Sequence, residues 1–190
     1  MNPITKNIRT SLETERCLLR APQSGDGEQI NKAIKRSLAE LSPWLAFARQ
    51  HPSVEDTETN TRQAASKFIT RENLRYLIFS KETGAFIGST GFHEIDWSVP
   101  KLEIGYWIDT KHSGNGYMLE AVEALTTFAF EELDMVRIEI QCESENVRSR
   151  AIPEKLGFQM EGIMRNDDRS VDGKRLTDTC IYSKVKVDKF

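Results

Sequence analysis

The 190-residue sequence is poor in cysteine, with three residues at positions 17, 142 and 180. An odd number at such wide spacing matches neither a disulfide framework nor a metal-ligand set, so each reads as a small buried hydrophobe beside apolar neighbours. No apolar run approaches the roughly 18 residues of a membrane span. The opening MNPITKNIRTSLETER carries no apolar core of signal-peptide length. Basic excess is missing as well: 26 Lys and Arg stand against 29 Asp and Glu, a formal net charge of −3. That balance lacks the electrostatic footprint of a nucleic-acid binder. These absences point to a soluble cytoplasmic protein without a metal site, with neither nucleic acid nor membrane as partner. A mildly acidic surface does tolerate a cationic substrate such as an amine.

What is present is ordinary globular composition, 38% apolar and 29% charged. No repeat, low-complexity tract or linker divides the chain, so a single domain over residues 1–190 is expected. Residues 1–14 are polar and read as loosely held. RCLL at 16–19 is a short strand. Ile30, Ala33, Ile34, Leu38 and Leu41 recur at helical spacing, predicting a helix over 28–41 that Pro43 ends, with PWLAF opening a short second one. Ser53 caps a third helix over 54–71. RYLIFS and AFIGSTGFHEI form a hairpin across the turn KETG, and LEIGYWID is the next strand. A helix over 116–133, the alternating strand VRIEIQC, a helix over 146–156 and the strands GFQMEGIMRND and LTDTCIYSKVKV complete the chain. The order predicts a mixed α/β (α+β) domain: a largely antiparallel sheet with one central strand–helix–strand crossover.

The most telling stretch is KLEIGYWIDTKHSGNGYM at 101–118, a strand running through a glycine loop into a helix. Such a junction aims backbone N–H groups at one spot beside the positive end of a helix dipole, a seat for phosphate. The P-loop pattern is absent. The dinucleotide fingerprint fails too, because Leu119 stands where its third glycine belongs and the loop lies mid-chain after a hairpin. An acyl-CoA cradle is the third option.

Six segments bear on that option: ETERCLLRAP, PWLAF, LEIGYWI, SGNGYMLEAV, ESENVRSRAIPEKLGFQMEGIMR and DTCIY. In this order they resemble the GNAT superfamily of N-acetyltransferases over residues 12–187, most of all the branch of the ribosomal-protein-alanine N-acetyltransferases. The resemblance implies a twisted, largely antiparallel sheet with helices on both faces and a central β-α-β unit that binds acetyl-CoA. It assigns the acyl donor to Ile108, Ser113, Gly114, Asn115, Gly116, Tyr117 and Met118, with Asn146 against the pantetheine arm. Two of these depart from the branch: Ser113 replaces a longer polar residue, and Met118 a small one whose place it can take only by turning toward the sheet.

Transfer of acetyl to an amine needs a base for the amine proton and an acid for the departing thiolate. An α-amino group is neutral in roughly a tenth of molecules at pH 7, a lysine in well under a thousandth. The resemblance places Ser149 as the acid beside the sulfur, although Ser149 also occupies the first turn of a helix capped by Asn146. For the base it points to Asp168, with Asp167 as neighbour. Glu103, on the strand that supplies the base in other branches, is the second candidate, and His93 and Glu94 are candidate relays. Tyr182 and Asp178 share a face of the last strand, with Tyr182 ordering Asp178, lining the acceptor groove or packing in the core. Trp44 and Trp97 are candidates for the acceptor pocket, whereas Trp107 reads as core.

The implied activity is acetyl-CoA-dependent acetylation of a primary amine, foremost the N-terminal α-amino group of a ribosomal protein. A small-molecule amine acetyltransferase and a non-catalytic acyl-CoA-binding module are the alternatives. By analogy with the branch, a homo-oligomer is expected.

Overall fold

The computed structural model describes residues 3–186. Met1, Asn2 and Val187, the last residue expected in the final strand, lie outside the described residues. Strands β1 (Ser11–Glu13) and β2 (Cys17–Arg20) precede four helices, α1 (Gly27–Arg36), α2 (Leu38–Leu41), α3 (Ala46–Arg49) and α4 (Val54–Thr70). Then come β3 (Leu74–Ser80), β4 (Phe86–Asp96), β5 (Lys101–Ile108), α5 (Tyr117–Glu131), β6 (Arg137–Glu143), α6 (Val147–Lys155), β7 (Gln159–Arg169) and β8 (Leu176–Val185). The sheet runs β1-β2-β3-β4-β5-β6-β8-β7, antiparallel at every step except β5–β6. The expected fold class and crossover are thus observed.

Alternation along the strands sets two cores. Leu102 and Ile104 of β5, Phe92 of β4 and Leu74, Tyr76 and Ile78 of β3 face α5, whose Met118, Val122, Leu125 and Phe128 fill the larger core. Leu77 and Phe79 of β3 face the other way, against Ile30 and Ile34 of α1. Ser53 closes α4 with a reciprocal capping box, its hydroxyl taking the Asp56 N–H at 3.0 Å while Asp56 takes the Ser53 N–H at 3.0 Å, worth about 1 kcal/mol.

Two expectations change. The helix over 28–41 breaks at Ser37, which is fully buried and accepts the Thr110 N–H at 2.9 Å through its hydroxyl. Tertiary demand for that hydroxyl outweighs the helical spacing. The N-terminal segment is not loose either. Ile8 and Leu12 are buried in the larger core, and β1 pairs with β2 as an eighth strand. Leu12→Ala should therefore cost about 2–4 kcal/mol, read as a lowered urea midpoint; a loosely held segment would give no change.

Candidate active site

The parallel pair at the centre of the sheet is short. β5 and β6 align at Lys101↔Arg137, Leu102↔Ile138 and Glu103↔Glu139, and at no later position. Beyond Glu103, β5 stays bonded to β4 through Ile108, while β6 follows β8 through Glu143. The two strands part as a fork, and the backbone edge of β5 that faces β6 is left for another partner.

Glu103 stands where the strands part. Its side chain is mostly buried, and its carboxyl is pushed up to about 7, first by burial and then by the like charges of Glu139 and Glu94. A hydrogen bond from the Gln141 backbone N–H opposes the shift without cancelling it. Glu139 itself is held by Arg137, 2.6 Å away. His93 faces Glu103 across β4–β5, with Nε2 3.8 Å from a carboxylate oxygen. Burial depresses the imidazole, so both groups are biased toward neutrality. They meet as a near-neutral pair more than as an ion pair.

The opposite arm of the fork carries Ser149. Its backbone N–H is capped by the Asn146 side-chain oxygen at 3.1 Å. Pro153 lies inside α6, four residues on, and lacks the N–H that would bond the Ser149 carbonyl. The Tyr106 phenol of β5 donates to that carbonyl instead, at 2.8 Å, and the Ser149 hydroxyl lies 3.4 Å from the same phenol oxygen. Ser149 is thereby tied to β5. Cys142 borders this hydroxyl; it is half-buried, with its thiol pushed up to about 11 by burial, whereas Cys17 and Cys180 are fully buried as expected.

Downstream of β5 the loop turns through Gly114 and Gly116, both at φ +80°, and Gly116 is the residue before α5. This left-handed pair directs the loop and first-turn N–H groups outward from an exposed turn. Met118 is buried in the larger core, so its bulk leaves the seat clear. Ser113, Gly114 and Asn115 are exposed, and Tyr117 is half-buried. The loop is anchored from both sides. Arg16 reaches Glu120 in the first turn of α5 at 2.7 Å and the Asn115 carbonyl at 3.0 Å. Asp109, fully buried, pairs with Arg36; burial pulls its carboxyl up, but Arg36 and the Lys111 N–H together hold it below the usual range. These residues fit a phosphate-bearing acyl donor: a bare N–H turn, a gap between strands, and Asn146 with Ser149 at its end.

On the α1 face of β3, β4 and β5 lies a cavity of about 390 Å³. Gly91 and Gly105 face each other across β4–β5 and leave its floor bare. A Cβ at Gly91 would fall 2.5 Å from the Leu74 carbonyl oxygen, and one at Gly105 2.8 Å from His93 Nε2. Phe47 and Trp107 form aromatic walls, and His93 sits at the edge toward Glu103.

The other sequence candidates are dispersed. Asp167 and Asp168 are exposed on the edge strand β7, outside the cavity wall. The turn after β7 leans on α3, where Arg49 donates to the Val171 carbonyl. Tyr182 neither orders Asp178 nor lines the cavity. It is fully buried, receives Arg150 Nε at 3.0 Å and donates to Glu154 at 2.7 Å, while Asp178 accepts the Asn166 N–H. Trp44 and Trp97 are not on the cavity wall; Trp97 packs against the larger core, and the tryptophan in the cavity is Trp107. Tyr106, Phe47 and Arg75 were not singled out in the sequence. Pro153, four residues after Ser149 within a helix, was a readable signal of a carbonyl in need of a partner.

Residues 16–159 match the family described as an acetyltransferase (GNAT) domain. The chain belongs to the GNAT acetyltransferase family. YdaF of Bacillus subtilis (strain 168), provisionally named a ribosomal N-acetyltransferase, is 34% identical over 178 residues, 90% of this chain and 92% of that protein. Among solved structures, RimL, a ribosomal L7/L12 alpha-N-protein acetyltransferase in complex with coenzyme A, superposes with a TM-score of 0.85 at 23% identity, covering 92% of this chain and 97% of that one. The microcin C7 self-immunity acetyltransferase MccE, in complex with acetyl-CoA and AMP, gives the same TM-score and identity over 90% and 93%. Among the described residues no helix is long and apolar enough to cross a membrane.

The raised Glu103 pKa sets a stability signature for this GNAT domain. A carboxyl whose folded pKa exceeds its unfolded value contributes most below the unfolded value near 4.5, and that contribution is lost as pH rises through about 7. Glu103→Gln should therefore unfold at a higher urea midpoint relative to the native chain as pH increases from 5 to 8. A constant difference across that range would mean that Glu103 titrates normally.

Proposed function

We propose that this GNAT domain transfers acetyl from acetyl-CoA to a primary amine, the N-terminal α-amino group of a ribosomal protein. The observation that carries the reading is the fork: a carboxyl held near neutrality stands at its closed end, where the strands part after Glu103, and the Ser149 hydroxyl lies on the arm beyond. The pantetheine amides would bond the free edge of β5, the pyrophosphate the N–H groups from Gly114 to Met118, and the thioester would lie near Ser149. The amine nitrogen attacks the acetyl carbon, forming the C–N bond as the C–S bond breaks. Its proton passes to Glu103, directly or through His93, and the Ser149 hydroxyl donates a proton to the departing sulfur.

Glu103 is favoured over Asp168 as base because burial and like charge tune it near working pH, whereas Asp168 is exposed on the edge strand. The names of YdaF and RimL support a ribosomal acceptor. The small size of the cavity, about 390 Å³, supports a second reading, a small-molecule amine as acceptor. The non-catalytic reading loses the support of Met118, whose side chain packs inward.

Three variants test the chemistry. Ser149→Ala should lower kcat by about tenfold to a hundredfold with acetyl-CoA affinity within a few-fold, measured as thiol release against an amine panel; unchanged turnover removes the serine from the mechanism. Gly116→Asp should abolish measurable CoA binding by calorimetry, since it sets a carboxylate against the pyrophosphate at a left-handed position. Glu103→Gln should cost about 10²-fold or more in kcat/KM and erase the limb near pH 7, leaving only that of the amine. A comparable loss in Asp168→Asn, with Glu103→Gln near normal, would transfer the base to β7.

A further inference from the structure

One cation on the cavity wall has no counter-charge. Arg75 of β3 lies in a row with Gly91 and Gly105, one residue from each of three adjacent strands. Its side chain rises from the bare glycine floor toward α4, where Nη1 donates to the Asn60 side-chain oxygen at 2.7 Å. That bond uses one of the five guanidinium donors. Among the described residues no carboxylate pairs with Arg75, and burial alone acts on its charge, pulling its pKa below the ordinary value. The single acidic residue on the wall, Asp56, is committed to Ser53, accepting its N–H at 3.0 Å and its hydroxyl at 2.7 Å. A half-buried guanidinium that no carboxylate neutralises carries a desolvation cost that an anionic ligand would offset.

We infer that the acceptor carries an anionic group, a carboxylate in an N-terminal peptide, which Arg75 receives while the amine lies at the fork. The inference rests on the cavity's being the acceptor site. The row from Gly105 to Arg75 spans two strand spacings, about 10 Å. An extended peptide covers that distance in about three residues, so the acid belongs at the second or third residue of the acceptor. A cationic chain such as a polyamine would set positive charge beside Arg75 and is disfavoured.

The test is a pair of peptide acceptors differing only in Asp or Asn at the second or third residue, run with the native chain, Arg75→Met and Arg75→Lys. The native chain should prefer the acidic peptide by about tenfold to a hundredfold in kcat/KM, the range of a charge-assisted hydrogen bond, mostly through KM. In Arg75→Met the ratio should fall to about one, and Arg75→Lys should restore part of it. Equal rates in the native chain, or a ratio that survives Arg75→Met, overturn the inference. Free aspartate and asparagine form a second arm. An Arg75-dependent preference seen only there keeps the anion site and removes the peptide acceptor. If no amine is turned over, calorimetry of the N-acetylated peptide pair with CoA present reads the same preference, and equal or absent binding overturns it.

Discussion

The structure depends on the early end of the β5–β6 ladder. Parallel strands ordinarily exchange evenly spaced bonds along their shared length, yet here the exchange stops after three residue pairs. β5 remains in one half of the sheet with β4, and β6 leaves with β8. The strand twist that separates them opens a gap in the middle of an otherwise continuous eight-stranded sheet. Everything assigned to chemistry lies around this gap. Glu103 occupies its closed end, Tyr106 and Ser149 its two arms, and the glycine loop follows directly from the β5 arm.

The gap also explains the electrostatics. At its closed end Glu103 and Glu139 are register partners, so two carboxylates are forced side by side. Arg137 pairs with Glu139, which leaves Glu103 as the member that carries the cost of burial. On the far arm, polar groups are linked without charge: a proline vacates a helical carbonyl and a phenol takes it. A near-neutral carboxyl at the closed end and a hydroxyl on the arm beyond it suit a reaction that removes a proton from nitrogen and delivers one to sulfur. The fully buried Asp109, paired with Arg36, holds the loop start against α1.

Much of this was legible from local pattern. Hydrophobic spacing located the principal elements, the Ser53 cap marked the start of α4, and the glycine loop read as a phosphate seat whose acyl-CoA ligand class came from the family resemblance. Asn146 and Ser149 lay at a helix start where sequence places them. Legibility failed where burial came from distant partners. Leu12 sits in a polar segment and is core only because the chain folds it into the larger core. Trp107 packs beside Phe86 of the smaller core as it reads, yet it also borders a cavity that no local pattern signals. Arg75 alternates within an apolar strand like any solvent-facing residue, and only the position of α4 turns its environment into a cavity.

The sequence by itself determined the element types, the antiparallel plan and the family, because each rests on local patterns read in chain order. Tertiary structure decided which carboxylate is tuned. Glu103 and Asp168 are both acids on strands, and no local feature tells them apart. Their difference lies in a register partner 36 residues away and in the solvent that one strand loses and the other keeps. Charge interactions and desolvation act through space, so the difference between the two carboxyls appears only when the fork is assembled.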